Sequence, residues 1–353
     1  MRVAIVEASH WHIPLYLAAL DAPGIEVVAI SDKENAKGRE IAARFNARLY
    51  ESYEKLLEQE HIDFAFVFGR HSEMAKIGEE LVRRKVPFTL EKPCGICAED
   101  VARLRQKAED AGVYVAVPFI FRISDFFSAV NEIEGQVPAD FNHLQFRFIV
   151  GPPSRYVAAG APWMLDPAIA GGGSTINVAT HFIDLFRFLT GKEVTTVSAQ
   201  MHARTHNGDV EDYSLVTLTT EDGVIGLVES GYSFPSTPDE QREFSFTLGS
   251  SRHYFRSGAD QIDYRGRNDL GSGTKSRPIR LNTDVYYPIF VERVLAEYKS
   301  GNAPVAGLRD AEKMMRVMDA AYASARQGGK LQKIRPSPFE RNAGRDIILP
   351  PIG

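Results

Sequence analysis

Val86-Pro87-Phe88-Thr89-Leu90-Glu91-Lys92-Pro93 is an apolar run closed by a carboxylate, a lysine and a proline. A short, continuous apolar run is the pattern of a strand buried on both faces of a parallel sheet. Proline cannot continue the ladder, so the strand ends near Leu90. That leaves the Lys92 ammonium at the carboxyl edge of the sheet, where open α/β folds keep their ligand crevice.

The segments on either side repeat this texture. Apolar runs at 3–6, 26–31, 64–68, 87–90 and 114–118 alternate with amphipathic stretches at 14–20, 34–45, 52–58, 72–85 and 98–111. Such alternation predicts a doubly wound parallel sheet covered on both faces. After Arg122 the runs become longer and period-two, at 144–150, 195–203, 213–219, 224–231, 243–248 and 253–255. With turn signals at Glu221-Asp222-Gly223 and Gly249-Ser250-Ser251, they predict an antiparallel meander with one solvated or partner-facing side. Two late helices are predicted at 285–299 and 309–327, the second stopped by Gly328-Gly329, before a proline-punctuated extended tail. The fold class is therefore α/β, with a Rossmann-like domain over 1–120 and an α+β domain with a large, mostly antiparallel sheet over 121–353.

Composition narrows the function classes. The 353 residues are 44% hydrophobic and 25% charged, the balance of a globular protein. A net charge of -5 provides no basic field for nucleic acid or an anionic membrane. No apolar run approaches the roughly 18 residues of a membrane span. The opening Met1-Arg2-Val3-Ala4-Ile5-Val6 reads as a strand rather than a signal segment, so a cytoplasmic location is expected. Cys94 and Cys97 form a lone C-x-x-C with no second pair, which reads as two structural cysteines.

A second motif carries chemistry. Gly171-Gly172-Gly173-Ser174-Thr175-Ile176-Asn177-Val178-Ala179-Thr180-His181-Phe182-Ile183-Asp184 is a glycine-rich loop feeding a helix, with Asn177 and His181 four apart on one face. His181, Asp184, Leu185 and Phe188 also have the spacing of a buried face. A lysine from a sheet edge and a histidine from a second region suit proton transfer.

Glu91-Lys92-Pro93, the Trp163-x-x-Asp166 lead into the triple glycine, and the closing Ala320-Ala321-Tyr322-Ala323-Ser324-Ala325 together resemble the Gfo/Idh/MocA family of NAD(P)-dependent oxidoreductases, over nearly the whole chain. The resemblance implies a Rossmann domain followed by a sheet domain whose open face builds homodimers or homotetramers. It also implies hydride transfer at a hydroxyl-bearing or keto carbon of a sugar, polyol or related small polyhydroxy compound. Lys92 matches the lysine that meets nicotinamide ribose and substrate hydroxyl, and His181 matches the catalytic histidine. Asn177 stands where many members have aspartate and completes the catalytic set. The cofactor set carried over is Ala8, Ser9, His10, Trp11, Asp32, His71, Glu91 and Lys92, and the substrate set is Arg122, Tyr156, Trp163, Asp184 and Tyr287.

The phosphate loop departs from the dinucleotide pattern. Where G-x-G-x-x-G allows a tight turn and close pyrophosphate approach, this chain reads Glu7-Ala8-Ser9-His10-Trp11-His12. A carboxylate there opposes phosphate, while Ser9 and His10 retain hydrogen-bond capacity at a helix start. Asp32 ends the second strand where an acid binds the adenosine ribose and favours NAD over NADP; the competing reading is a helix cap before 33–45. Arg70 reads either as an anion contact or as a solvated charge. His10 and His12, with Glu7, His71 or His181, have metal-ligand chemistry, but an irregular loop is weak support and no metal is assigned. The alternative functions are a non-redox lyase or isomerase, with or without metal, and a catalytically silent binding member of the fold.

Overall fold

Apolar runs too short to be helices but buried on both faces make the first sheet. The computed structural model describes residues 1–337 and 339, apart from 35, 36, 238, 239, 270 and 272. Its first six strands are β1 (Arg2–Val6), β2 (Glu26–Ser31), β3 (Arg48–Tyr50), β4 (Phe64–Val67), β5 (Phe88–Leu90) and β6 (Val115–Ala116). All pair in parallel, in the order β3-β2-β1-β4-β5-β6. Helices α1 (Pro14–Leu20), α2 (Lys37–Phe45), α3 (Tyr53–Gln59), α4 (His71–Arg83) and α5 (Ala98–Ala111) fall between successive strands. The order reverses between β1 and β4, so the crevice opens beyond Val6 and Val67, with Lys92 beside it after β5. Of these six strands β3 was absent from the sequence expectation, as were the last three strands of the second sheet, Gln261–Gly266, Lys275–Pro278 and Gln332–Lys333.

A helix that the sequence reading passed over, α6 (Asp125–Glu134), leads out of this sheet, with Ser124 accepting the Phe127 N–H as its N-cap. The second sheet has nine strands: β7 (Phe141–Val150), β8 (Val194–His202), β9 (Tyr213–Thr220), β10 (Ile225–Gly231), β11 (Arg242–Ser250), β12 (His253–Gly258), β13 (Gln261–Gly266), β14 (Lys275–Pro278) and β15 (Gln332–Lys333). It is not a pure meander, because β7 and β10 run parallel at the centre while the other pairs are antiparallel. Alternation of side chains sets which face is buried and says nothing about strand direction.

Between β7 and β8 lie the short helices α7 (Ser154–Ala158) and α8 (Pro167–Ala170), then a π-helical turn Thr175–Ala179 continuing into α9 (Thr180–Thr190). The late helices α10 (Tyr286–Lys299) and α11 (Leu308–Arg326) pack back against α1 and α5, and α11 also meets β8 and α9. These helices fix the cleft between the sheets. Cys94 is buried, Cys97 partly so, and both are free thiols pushed above their ordinary range by burial, in keeping with structural cysteines. Among the described residues no helix is long and apolar enough to cross a membrane. Of the proline-punctuated tail, 338 and 340–353 lie outside the described residues.

Candidate active site

Lys92, Asn177, His181 and Tyr287, spread over more than half the chain, line one cavity of about 210 Å³ together with Trp11, His12, Arg155, Arg242, Thr283 and Asp284. The Lys92 ammonium donates to the Asn177 backbone carbonyl at 2.7 Å and to its Oδ1 at 2.8 Å. The Asn177 amide is oriented by donation to the Tyr156 hydroxyl at 2.6 Å and the Tyr232 hydroxyl at 3.1 Å. Asn177 therefore positions Lys92, not His181. Its place on the π turn explains this, because a wider turn breaks the one-face spacing that an α-helix would impose.

Lys92 is only 2% exposed, and burial pulls its ammonium down to about 8. Burial, then Lys92 and His12, hold His181 well below the ordinary histidine range. The imidazole is thus neutral and able to accept a proton, and its Nδ1 is buried without a partner among the described residues.

A carboxylate organises the loop that delivers these groups. Glu211 accepts the Gly173 and Thr175 amides at 2.9 Å each and the Tyr322 hydroxyl at 2.8 Å, while its backbone carbonyl takes the Ser174 amide. A Cβ on Gly173 would stand 2.0 Å from that Glu211 carbonyl oxygen. Gly173→Ala is accordingly expected to lose on the order of 1–3 kcal/mol of stability through overpacking, read by denaturant unfolding. It should also lower turnover, because the glycine loop that must give way leads directly into the π turn carrying Asn177.

The five residues expected to meet substrate divide. Tyr287 lines the cavity. Tyr156 is fully buried and acts behind the wall, bridging Asn177 and the Arg155 guanidinium. Arg122 and Asp184 turn toward each other in a two-pronged ion pair of 2.8 and 2.6 Å and do not line the cavity. Trp163 packs over the β1–α1 loop, its indole N–H donating to the Ser9 carbonyl at 3.1 Å. Arg155, Arg242, Thr283, Asp284 and His12 were missed as cavity residues; only long-range packing brings them here, and no local signal announces them.

At the cofactor crevice the frame fits a dinucleotide, and its surface is roofed. Glu7 adopts φ +58°, the left-handed turn that a glycine would take here. Its carboxylate does not enter the loop; it accepts the Ser31 hydroxyl at 3.1 Å, and burial lifts it above the usual carboxylate range, which weakens its opposition to phosphate. Ala8, Ser9, His10, His71 and Glu91 are buried, with His71 bound to the Ala170 carbonyl at 2.8 Å. Asp32 accepts the Glu34 and Gly38 amides at 3.0 and 2.7 Å, which is the helix-cap reading, and it is also buried. Arg70 pairs with Glu34. Trp11, half-buried, stacks near His10 and under Arg155.

Two models of one family match the chain: an oxidoreductase-family, NAD-binding Rossmann fold over residues 1–119, and a GFO/IDH/MocA C-terminal domain over 140–252. The chain is 24% identical to D-apiose dehydrogenase of Paraburkholderia graminis, covering 87% of this chain and 83% of that one. It is 22% identical to D-xylose 1-dehydrogenase (NADP(+)) 2 of Haloferax volcanii, over 90% and 94% of the two chains. Among solved structures, an oxidoreductase from Agrobacterium radiobacter in complex with NAD+, L-tartaric acid and magnesium superposes with a TM-score of 0.81 at 19% identity, over 95% and 98% of the chains. The WlbA dehydrogenase from Bordetella pertussis, in complex with NADH and UDP-GlcNAcA, gives 0.79 at 21%, over 95% and 99%.

Proposed function

Because the chain belongs to the Gfo/Idh/MocA family of oxidoreductases, we propose that it transfers a hydride between NAD and a hydroxyl or keto carbon of a sugar, polyol or related compound. The observation that carries the reading is one cavity shared by a desolvated ammonium and a neutral imidazole. Bound nicotinamide supplies the hydride acceptor or donor. In the oxidative direction His181 takes the hydroxyl proton as the hydride leaves, and Lys92 orients the oxygen and stabilises its developing charge. Asn177 contributes two neutral acceptors that aim the ammonium without neutralising it. Tyr287 and Arg155 supply polar and aromatic surface to hold further hydroxyls.

Titration of the full chain with NAD and NADP, followed by tryptophan quenching and by nicotinamide fluorescence, tests the reading. Saturable binding of either, with sugar- or polyol-dependent reduction, is expected. Absence of both at millimolar concentration overturns it. Since burial keeps His181 neutral, kcat/KM should begin to fall only at pH well below the ordinary histidine range, as the base becomes protonated.

Leu215, Ile225 and Tyr254 share the open face of the second sheet and are exposed. They support pairing of subunits through that face in a homodimer or homotetramer.

A further inference from the structure

The loop that replaces the glycine motif carries two imidazoles that hydride transfer does not use. His10 and His12 come from the β1–α1 crossover, and Glu91 follows β5. One ligand-capable atom from each lies within 4.8 Å of the other two, and all three residues are buried. Glu91 replaces Glu7 as the acid of the cluster, since Glu7 turns away to Ser31.

The carboxylate is unevenly satisfied. Glu91 Oε1 receives both the Tyr16 hydroxyl at 2.6 Å and His12 Nδ1 at 3.1 Å. Its Oε2 is buried with no partner among the described residues, and so are His10 Nε2 and His71 Nε2 nearby. The neighbouring Lys92 ammonium feels the Glu91 charge, but among the described residues both of its hydrogen bonds go to Asn177 and none reaches the carboxylate. A buried carboxylate with an empty oxygen calls for a cation, and two neutral imidazoles beside it are soft enough for a transition metal.

We propose that His10, His12 and Glu91 form a binding site for a divalent transition metal of the zinc type, at the wall of the cavity that holds Lys92 and His181. Two histidines and one glutamate are a donor set that leaves a fourth position for water or a substrate oxygen. His12 lines that cavity, so the ion stands within reach of the sugar end of the site. One local change accompanies binding: His10 Nδ1 accepts the His12 amide at 3.1 Å, so the ion either displaces that amide or meets the ring after a half-turn about Cβ–Cγ.

The test is metal content and cobalt spectroscopy on the full chain. Protein from zinc-supplemented culture, desalted and assayed by inductively coupled plasma mass spectrometry, should retain close to one ion per chain. Chelator-treated protein titrated with Co2+ should develop a saturable visible band. Glu91→Gln, His10→Gln and His12→Asn should each weaken Co2+ binding by more than the roughly 10–100-fold that losing an outer-shell partner costs. No retained ion together with no saturable band in the native chain overturns the site and leaves a bare His12–Glu91 hydrogen bond. Binding that all three variants preserve also overturns it, by locating the ion elsewhere. Dinucleotide titration runs independently of both arms, so failure of the metal site and failure of the redox reading are separable.

Discussion

Lys92→Met is expected to abolish turnover, by on the order of 10²–10³-fold in kcat, while leaving the protein at least as stable as the native chain. The two effects have one cause. The ammonium is almost fully buried, and among the described residues its hydrogen bonds go to neutral oxygens of Asn177 at 2.7 and 2.8 Å, with the Glu91 charge acting only through space. Keeping a charge there costs desolvation that a methionine of similar length avoids. A lysine retained for packing alone would leave the opposite signature: lost stability and preserved rate. Steady-state kinetics, with nicotinamide absorbance as the signal, and denaturant unfolding on the same preparation read both quantities. Lys92→Arg should not rescue the rate, because a planar guanidinium cannot reproduce a point charge aimed by two oxygens on one residue. A Lys92→Met protein that keeps its turnover would remove the ammonium from the mechanism.

The placing of the lysine at a cleft is legible in the sequence, and the reason is local. A buried strand closed by Glu91-Lys92-Pro93 has one place to put its ammonium, and a glycine-rich loop feeding a helix has one end from which to present Asn177 and His181. The alternation of the first 120 residues likewise gave the parallel sheet, because strands buried on both faces leave a continuous apolar trace. What was hidden depends on partners distant in sequence. Arg122 and Asp184 have the composition of a sugar site, and only the packing of α9 shows that they consume each other. Asp32 is the local exception: it ends its strand at a position suited to a ribose, and its oxygens also accept amides two and six residues on. His12 reads as a lost glycine with metal-ligand chemistry, and its acidic neighbour is hidden until Glu91, 79 residues away, comes within 3.1 Å. The parallel pairing of β7 with β10 has no sequence signature either, since period two is the same in both directions.

The Arg122–Asp184 pair carries the largest expected effect on stability. Arg122 Nε and Nη2 donate to the two Asp184 oxygens, Nη2 also reaches Asp310 at 2.8 Å, and Nη1 donates to the Val305 carbonyl at 3.0 Å. The guanidinium thus ties the turn after β6, helix α9 and the start of α11 into one joint between the sheets. Burial, helped by the Asp310 charge, lifts the Asp184 carboxyl above its ordinary range even with Arg122 beside it. Removing the guanidinium would strand that carboxylate, so Arg122→Ala is expected to cost about 3–5 kcal/mol. Deleting both partners should be milder than the sum of the single changes, because Arg122→Met with Asp184→Leu removes the two-pronged pair together and leaves only Asp310 without its guanidinium, still accepting the Gly307 amide. Denaturant unfolding of both single variants and the double variant closes the cycle. A double variant as unstable as the summed singles would mean that the joint works through packing rather than charge. Because α9 also carries His181, Arg122→Ala should lower kcat alongside stability, whereas the double variant should recover both. Recovery of stability without recovery of rate would separate the joint from the alignment of the cavity.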